Sequence, residues 1–320
     1  MAEMSAAAER RAAERREVKP FAKDTDDPHL LSPLAPFAGE KPAAPAWFRA
    51  AIDAPHERHK VQVEGADVEW LGWGERGKPG LLLLHGNGAN ADWWRFVAPF
   101  LADTHRVAAL SWSGMGGSDH RPAYTGDQFV REALAVAEAA GLGERFAVAG
   151  HSFGGMPTVL LAAGHPDRVA QAIIIDTPLG DNRRPPHADD PKPHRIYPTL
   201  AEALARFRWS PMQPSPNPWI TDFIARSSLR QAEGGWTWKF DPMLWKNFSV
   251  GDVDGVAGRI SVPVAYLWGE QSVLAEHGVV RLIRTLLPAG TRFVGLPDAH
   301  HHVMADQPLA LVSALRALLA

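Results

Sequence analysis

Phe146-Ala147-Val148-Ala149-Gly150-His151-Ser152-Phe153-Gly154-Gly155 is the stretch that decides the fold. Phe146 to Ala149 read as a buried strand, Gly150 to Gly154 as a G-x-S-x-G turn, and the small residues from Gly155 to Ala163 as a helix. A serine at such a strand-turn-helix junction sits on a bend so tight that side chains at positions 150 and 154 would collide with neighbouring backbone. Ser152 is therefore the candidate nucleophile.

Working outward, further apolar runs occur at Leu81 to Leu84, Val107 to Leu110, Ala172 to Ile175, Val262 to Leu267 and Arg292 to Leu296. Helical patterns separate them, at Asp92 to Leu101, Asp127 to Ala140, Glu276 to Leu287 and Asp306 to Leu319, with Asp306 predicted to cap the last. Strands buried on both faces and alternating with helices predict an α/β fold, a mostly parallel sheet wound on both sides. His59 to Val63 and Val68 to Trp73 alternate around a Gly-containing turn and predict an antiparallel hairpin ahead of it.

The alternation stops between Asp181 and Val250, where nine prolines fall between Asp181 and Trp219 and helical patterns occur without strands. Residues 181–250 are predicted to form an inserted, mainly helical cap, with core in residues 46–180 and 251–320. The cap carries Trp209, Trp219, Trp236, Trp238 and Trp245, which suit either a small core or an apolar pocket lining. Residues 1–45 read as a solvated helix over Met1 to Arg16 and an extended arm from Pro20 to Pro45.

With a formal charge of -3 and no block of Lys and Arg, the 320-residue chain lacks the footprint of a nucleic-acid or membrane-surface binder. The absence of cysteine excludes thiol nucleophiles, thiolate metal sites and disulfides. Met1 to Lys19 has neither a signal-peptide core nor a transmembrane span, so a cytoplasmic location is expected.

Acyl transfer at a serine needs a base, a carboxylate to orient it, and two N–H donors facing the developing oxyanion. Leu81-Leu82-Leu83-Leu84-His85-Gly86-Asn87-Gly88 is a buried strand running into a glycine turn, which sets the Asn87 amide beside that of Phe153 as a candidate oxyanion hole. The base is expected after the last strand, in Pro297-Asp298-Ala299-His300-His301-His302. Three adjacent histidines do not make a metal site, because neighbours in sequence rarely converge on one ion.

In order, His85-Gly86, Gly114-Met115-Gly116-Gly117-Ser118-Asp119, the turn at Ser152 and Pro297-x-Ala-x-His301 resemble the α/β-hydrolase superfamily, from about Trp47 to the C-terminus. The resemblance implies a doubly wound, mostly parallel eight-stranded sheet. Members commonly carry Pro-Gly-Ala-Gly-His at the histidine loop, which puts the catalytic imidazole on His301. They usually carry Gly-x-x-Asp after the seventh strand, whereas this chain reads Gly269-Glu270-Gln271-Ser272. Ser272 supplies no carboxylate, leaving Asp176, Glu270 and Glu276 as substitutes. Asp176 has the strongest case: a helix of about 18 Å out from Ser152 and a strand of about 20 Å back return it to the same sheet edge. Several families of the superfamily place their acid there, and Ile173-Ile174-Ile175-Asp176 is similar to that arrangement. Ser111 also stands where relatives often have an aspartate. Ser152 itself separates the chain from dehalogenases and epoxide hydrolases, which attack with an aspartate.

The expectation is a serine hydrolase acting without a cofactor on a small, fairly apolar ester or lactone. A cofactor-free dioxygenase or carbon-carbon bond hydrolase using His301 and Asp176, and a non-catalytic ligand receptor, are the alternatives.

Overall fold

A computed structural model describes residues 25–180, 191–276 and 278–320; the helix expected over Met1 to Arg16 lies outside them. Eight strands form the main sheet: β1 (Glu57–Val63), β2 (Ala66–Trp73), β3 (Gly80–Leu84), β4 (Arg106–Leu110), β5 (Phe146–His151), β6 (Val169–Ile175), β7 (Val264–Gly269) and β8 (Arg292–Leu296). Their spatial order is β1-β2-β4-β3-β5-β6-β7-β8. β2 pairs antiparallel with β1 and β4, and every other pair is parallel. The β1–β2 turn is tighter than its sequence suggests, because Glu64 (φ 48°) and Gly65 (φ 79°) both take the left-handed conformation of a two-residue hairpin loop.

The parallel strands are apolar throughout because both faces are covered. Leu82 and Leu84 of β3 join one core with Val148, Ile174, Tyr266 and Phe129, while Leu81 and Leu83 join a second with Ala149, Ile173, Phe96 and Leu315. All four leucines are fully buried, which stabilises the fold by about 1.5–3 kcal/mol per side chain relative to exposure. The helices on these faces are α1 (Gly126–Ala140), α2 (Gly155–Gly164), α4 (Val279–Leu286) and α5 (Pro308–Leu319), with α3 (Pro218–Ser227) in the insertion. Thr125 caps α1 by accepting the Gln128 N–H, and Gly141 ends it at φ 69°.

Several sequence expectations need correction. The segment expected as a helix from Asp92 to Leu101 forms two 3₁₀ turns, Ala91–Trp94 and Ala98–Phe100, because Pro99 cannot continue an α-helix. The helix expected from Glu276 to Leu287 is divided into Val273–Glu276 and α4, with Gly278 at φ 80° between them. Pro308 starts α5 and Gln307 precedes it, so Asp306 is not its cap. The described part of the N-terminal arm is not simply extended but contains helical turns at Pro28–Leu31 and Ala35–Phe37. The insertion's described residues include an antiparallel hairpin, Leu229–Ala232 with Gly235–Trp238, whose return needs Gly234 at φ 83°.

Tight anchors hold the insertion to the core. The Tyr124 hydroxyl donates to Asp241 Oδ2 at 2.6 Å, and the Asp241 N–H donates to Gly114 O at 2.7 Å. Trp209 is a core residue, edge-on to Trp93 and Phe207. Among the described residues no helix is long and apolar enough to cross a membrane.

Candidate active site

The parallel strands β3, β5, β6, β7 and β8 release their chains at one sheet edge, and the candidate site assembles there. β5 delivers Ser152 at φ 52°, left-handed backbone that a serine adopts only under strain. The flanking glycines make this bend feasible: a Cβ on Gly154 would lie 2.6 Å from the His85 carbonyl oxygen and 2.7 Å from that of Leu84. One on Gly150 would meet Thr158 Oγ1 and the Gly154 carbonyl. Ser152 is left half-buried, whereas its neighbours His151 and Phe153 are buried.

His301 Nε2 lies 2.8 Å from Ser152 Oγ, and His301 Nδ1 lies 2.8 Å from Asp176 Oδ1. Since a carboxylate only accepts, Nδ1 carries the proton and Nε2 faces the serine hydroxyl as an acceptor. Asp176 is fully buried just past β6, also left-handed at φ 42°. Its Oδ2 accepts the Gly269 N–H at 2.7 Å, and its Oδ1 accepts the Ser272 hydroxyl at 2.7 Å in addition to His301. Three donors hold the carboxylate in one orientation. Glu270 and Glu276, the other sequence candidates, are exposed and have no hydrogen bond to His301 among the described residues.

The turn after β3 lies against the serine, since a Cβ on Gly86 would be 3.2 Å from Ser152 Cβ. His85 stiffens it: Nδ1–H donates to Gly86 O at 2.7 Å, while Nε2 accepts the Trp112 N–H at 3.1 Å. Burial lowers the His85 pKa to about 4, which keeps the ring neutral and able to play both parts. Among the described residues the Asn87 N–H has no acceptor. Phe153 heads the turn leading into α2, and its ring packs edge-on to Phe129 and Trp245 and against Phe248.

Two more histidines surround His301. His151 donates Nε2–H to the His301 carbonyl at 2.9 Å, and the His302 ring lies 4.9 Å from that of His301. Burial, then the neighbouring His301, drives both pKa values well down, so both rings are held neutral. His300 turns away and pairs with Asp306, Nδ1 to Oδ2 at 3.1 Å. Among the described residues no cluster of His, Asp and Glu could hold a metal ion.

Sequence reasoning passed over Gln213, Asp306, His151 and Glu69. Only Glu69 had a signal: Ser111 in an aspartate's place asks where the missing carboxylate went. It comes from β2, where Glu69 Oε2 accepts the Ser111 hydroxyl at 2.8 Å and the Gly117 N–H at 2.9 Å. A surface depression of about 720 Å³ beside Glu138, Arg145 and Arg168 lies at the amino ends of β5 and β6, opposite Ser152. Volume alone therefore does not locate the chemistry.

Comparison with known proteins agrees with this architecture. The chain is 24% identical over 307 residues to epoxide hydrolase 3 of Xenopus tropicalis, covering 86% of this chain and 81% of that one. It is 27% identical over 282 residues to an esterase of Mycobacterium tuberculosis, covering 81% and 88%. The crystal structure of that esterase superposes with a TM-score of 0.64 at 24% identity, covering 93% of this chain and 99% of that one. A thioesterase domain from the curacin biosynthetic pathway superposes with a TM-score of 0.69 at 22% identity, over 82% of this chain and 100% of that one. The family model of the alpha/beta hydrolase fold matches residues 79–308, well over half of the sequence, and the chain belongs to that family.

Proposed function

We propose that the protein is a serine hydrolase that cleaves a small, fairly apolar ester or lactone through an acyl-enzyme. The observation that carries this reading is the unbroken hydrogen-bonded chain from Ser152 Oγ through His301 to Asp176. In the proposed mechanism Ser152 Oγ attacks the ester carbonyl as its proton passes to His301 Nε2, and Asp176 stabilises the imidazolium that results. The carbonyl oxygen becomes an oxyanion facing the Asn87 and Phe153 amides. Collapse breaks the carbon–oxygen bond, and His301 returns the proton to the leaving alkoxide. A water then gives a proton to Nε2 and attacks the acyl carbon; collapse breaks the bond to Ser152 Oγ, Nε2 returns the proton to that oxygen, and the acid is released. No metal or organic cofactor enters any of these steps.

The described residues of the insertion, 191–250, act as the lid in this reading, and the first ten residues of the predicted cap, 181–190, lie outside the described residues. Phe240 stands near Gly88 of the oxyanion turn, and Trp245 stands edge-on to Phe153, so an apolar face of the insertion adjoins the two turns that bear Asn87 and Phe153. That face supports an apolar substrate. Relatives named as epoxide hydrolases fit less well, because a hydroxyl rather than a carboxylate stands at position 152.

A fluorophosphonate probe should label Ser152 in the folded protein, and Ser152→Ala should abolish both labelling and turnover of short-chain p-nitrophenyl esters. Intact mass unchanged after exposure to the probe would overturn the proposal.

A further inference from the structure

The side chain of His301 can meet Ser152 only if its main chain is held, and β8 ends at Leu296, five residues earlier. Three side chains hold it. The His300 N–H donates to Asp306 Oδ2 at 2.7 Å, the His302 N–H donates to Gln213 Oε1 at 2.8 Å, and the His301 carbonyl accepts His151 Nε2–H at 2.9 Å. Asp306 and His151 belong to the core. Gln213 comes from the insertion, 89 residues away in sequence from His302.

The amide of Gln213 has one orientation. Its Nε2 donates to both Asp306 oxygens, at 3.0 and 3.1 Å, so its Oε1 must face His302, where it also accepts Nδ1–H at 2.8 Å. Gln213 is 3% exposed, so these bonds form out of water and leave no spare partner for either residue. Neighbouring contacts fasten the same strip: the Trp209 ring lies 4.5 Å from that of His302, and Asn217 Nδ2 donates to Ala305 O at 2.8 Å and Asp306 O at 2.9 Å.

We propose that Gln213 is a positioning residue for the catalytic base: the insertion, through this one side chain, fixes the main chain on one side of His301 so that Nε2 meets Ser152 Oγ. The inference rests on the reading of His301 as the base. It implies that the strip from Trp209 to Asn217 stays with the histidine loop, and that any lid motion belongs to other parts of the insertion.

Gln213→Met keeps the length of the side chain and removes all four bonds. Its kcat should fall by about tenfold to a hundredfold, as expected for a reacting group displaced by up to an ångström, with KM within about twofold when assayed well below Tm. Gln213→Glu alone sets a carboxylate against Asp306 and should be worse. The pair Gln213→Glu with Asp306→Asn exchanges donor and acceptor, keeps the His300 and His302 N–H acceptors, and should recover most of the lost kcat. A merely structural Gln213 would lower Tm in Gln213→Met and leave kcat untouched, and that result overturns the proposal. Should Gln213→Met not fold, the paired variant decides alone: no recovery over Gln213→Glu refutes the role. A readout without turnover is the downfield NMR resonance of the His301 Nδ1 proton, sharp in the native protein and broadened in Gln213→Met. A sharp resonance in the variant overturns the proposal. Absence of fluorophosphonate labelling in the native protein instead refutes the base chemistry, so the two failures are distinguishable.

Discussion

Ser111 and Ser272 each follow a strand of the main sheet in a place where relatives often carry aspartate, and each donates its hydroxyl to a carboxylate on an adjacent strand or just beyond it. Ser111 bonds Glu69 at 2.8 Å and Ser272 bonds Asp176 at 2.7 Å. Adjacent strands lie about 4.8 Å apart, so a carboxylate can move to the next strand and still serve the same loop. What differs is the remaining partner. Glu69 is closed off by Arg58 Nη1 at 2.6 Å and the Gly117 N–H at 2.9 Å, so it ties the glycine loop to β2 and reaches no reacting group. Asp176 keeps one lone pair for His301, which itself faces Ser152. The same exchange of serine for carboxylate therefore yields a structural clamp in one region and a candidate catalytic acid in the other.

The sharpest way to break this comparison is to neutralise both carboxylates. Asp176→Asn should lower kcat by about 10³–10⁴-fold, because the imidazolium loses its counter-charge and His301 its required tautomer. Glu69→Gln should instead keep kcat and lose about 1–3 kcal/mol in urea unfolding, since Arg58 is left facing a weaker partner. A large kcat loss in Glu69→Gln, or none in Asp176→Asn, would erase the distinction. Restoring the carboxylate at 272, by adding Ser272→Asp to Asp176→Asn, should recover part of the activity.

Removing the hydroxyls is a finer probe. Ser272→Ala should cost about tenfold in kcat, as Asp176 loses one of the three donors that orient it, and Ser272→Thr should restore it. Ser111→Ala should lower stability by about 1 kcal/mol and leave steady-state kinetics unchanged.

Acid separates the regions by stability. His85, His151 and His302 are held neutral by burial below the ordinary histidine value of 6.5, so below that pH the unfolded chain takes up protons that the folded protein refuses. Stability is present above 6.5 and falls with pH; for His85, whose folded pKa is about 4, the loss is about 2 kcal/mol between about pH 7 and pH 5. For Glu69, burial raises the pKa, but Arg58 and the bonds from Ser111 and Gly117 outweigh it and leave the pKa lowered. Its contribution is present above the ordinary value of 4.5 and is lost only as pH falls through the folded value. Urea midpoints measured down the pH scale should drop first from the histidines, and Glu69→Gln should flatten only the later, more acidic part.

Much of this was legible in advance. The apolar runs marked the sheet because parallel strands covered on both faces must be apolar along their length, and G-x-S-x-G marked the bend because only glycine clears Leu84, His85 and Thr158. The histidine loop was reached by the order of motifs, and His301 within it by the resemblance of Pro297-x-Ala-x-His301 to the family's pattern. The path from Ser152 favoured Asp176 as the acid but left Glu270 and Glu276 open, and only side-chain direction separates a buried group aimed at His301 from two exposed ones. Gln213 left no trace, because an isolated glutamine in a proline-rich segment has no periodicity to read.

The amino-acid sequence by itself determined the sheet, the bend at Ser152 and the turn bearing Asn87, since each depends on local sterics and on residues close along the chain. Only the tertiary structure decided which carboxylate meets His301, that Glu69 fills the place left by Ser111, and that the insertion reaches the histidine loop through Gln213. Those are contacts between residues distant in sequence, made by the crossing order β1-β2-β4-β3-β5-β6-β7-β8 and by burial, and hydrogen-bond direction at that range is written in no short motif.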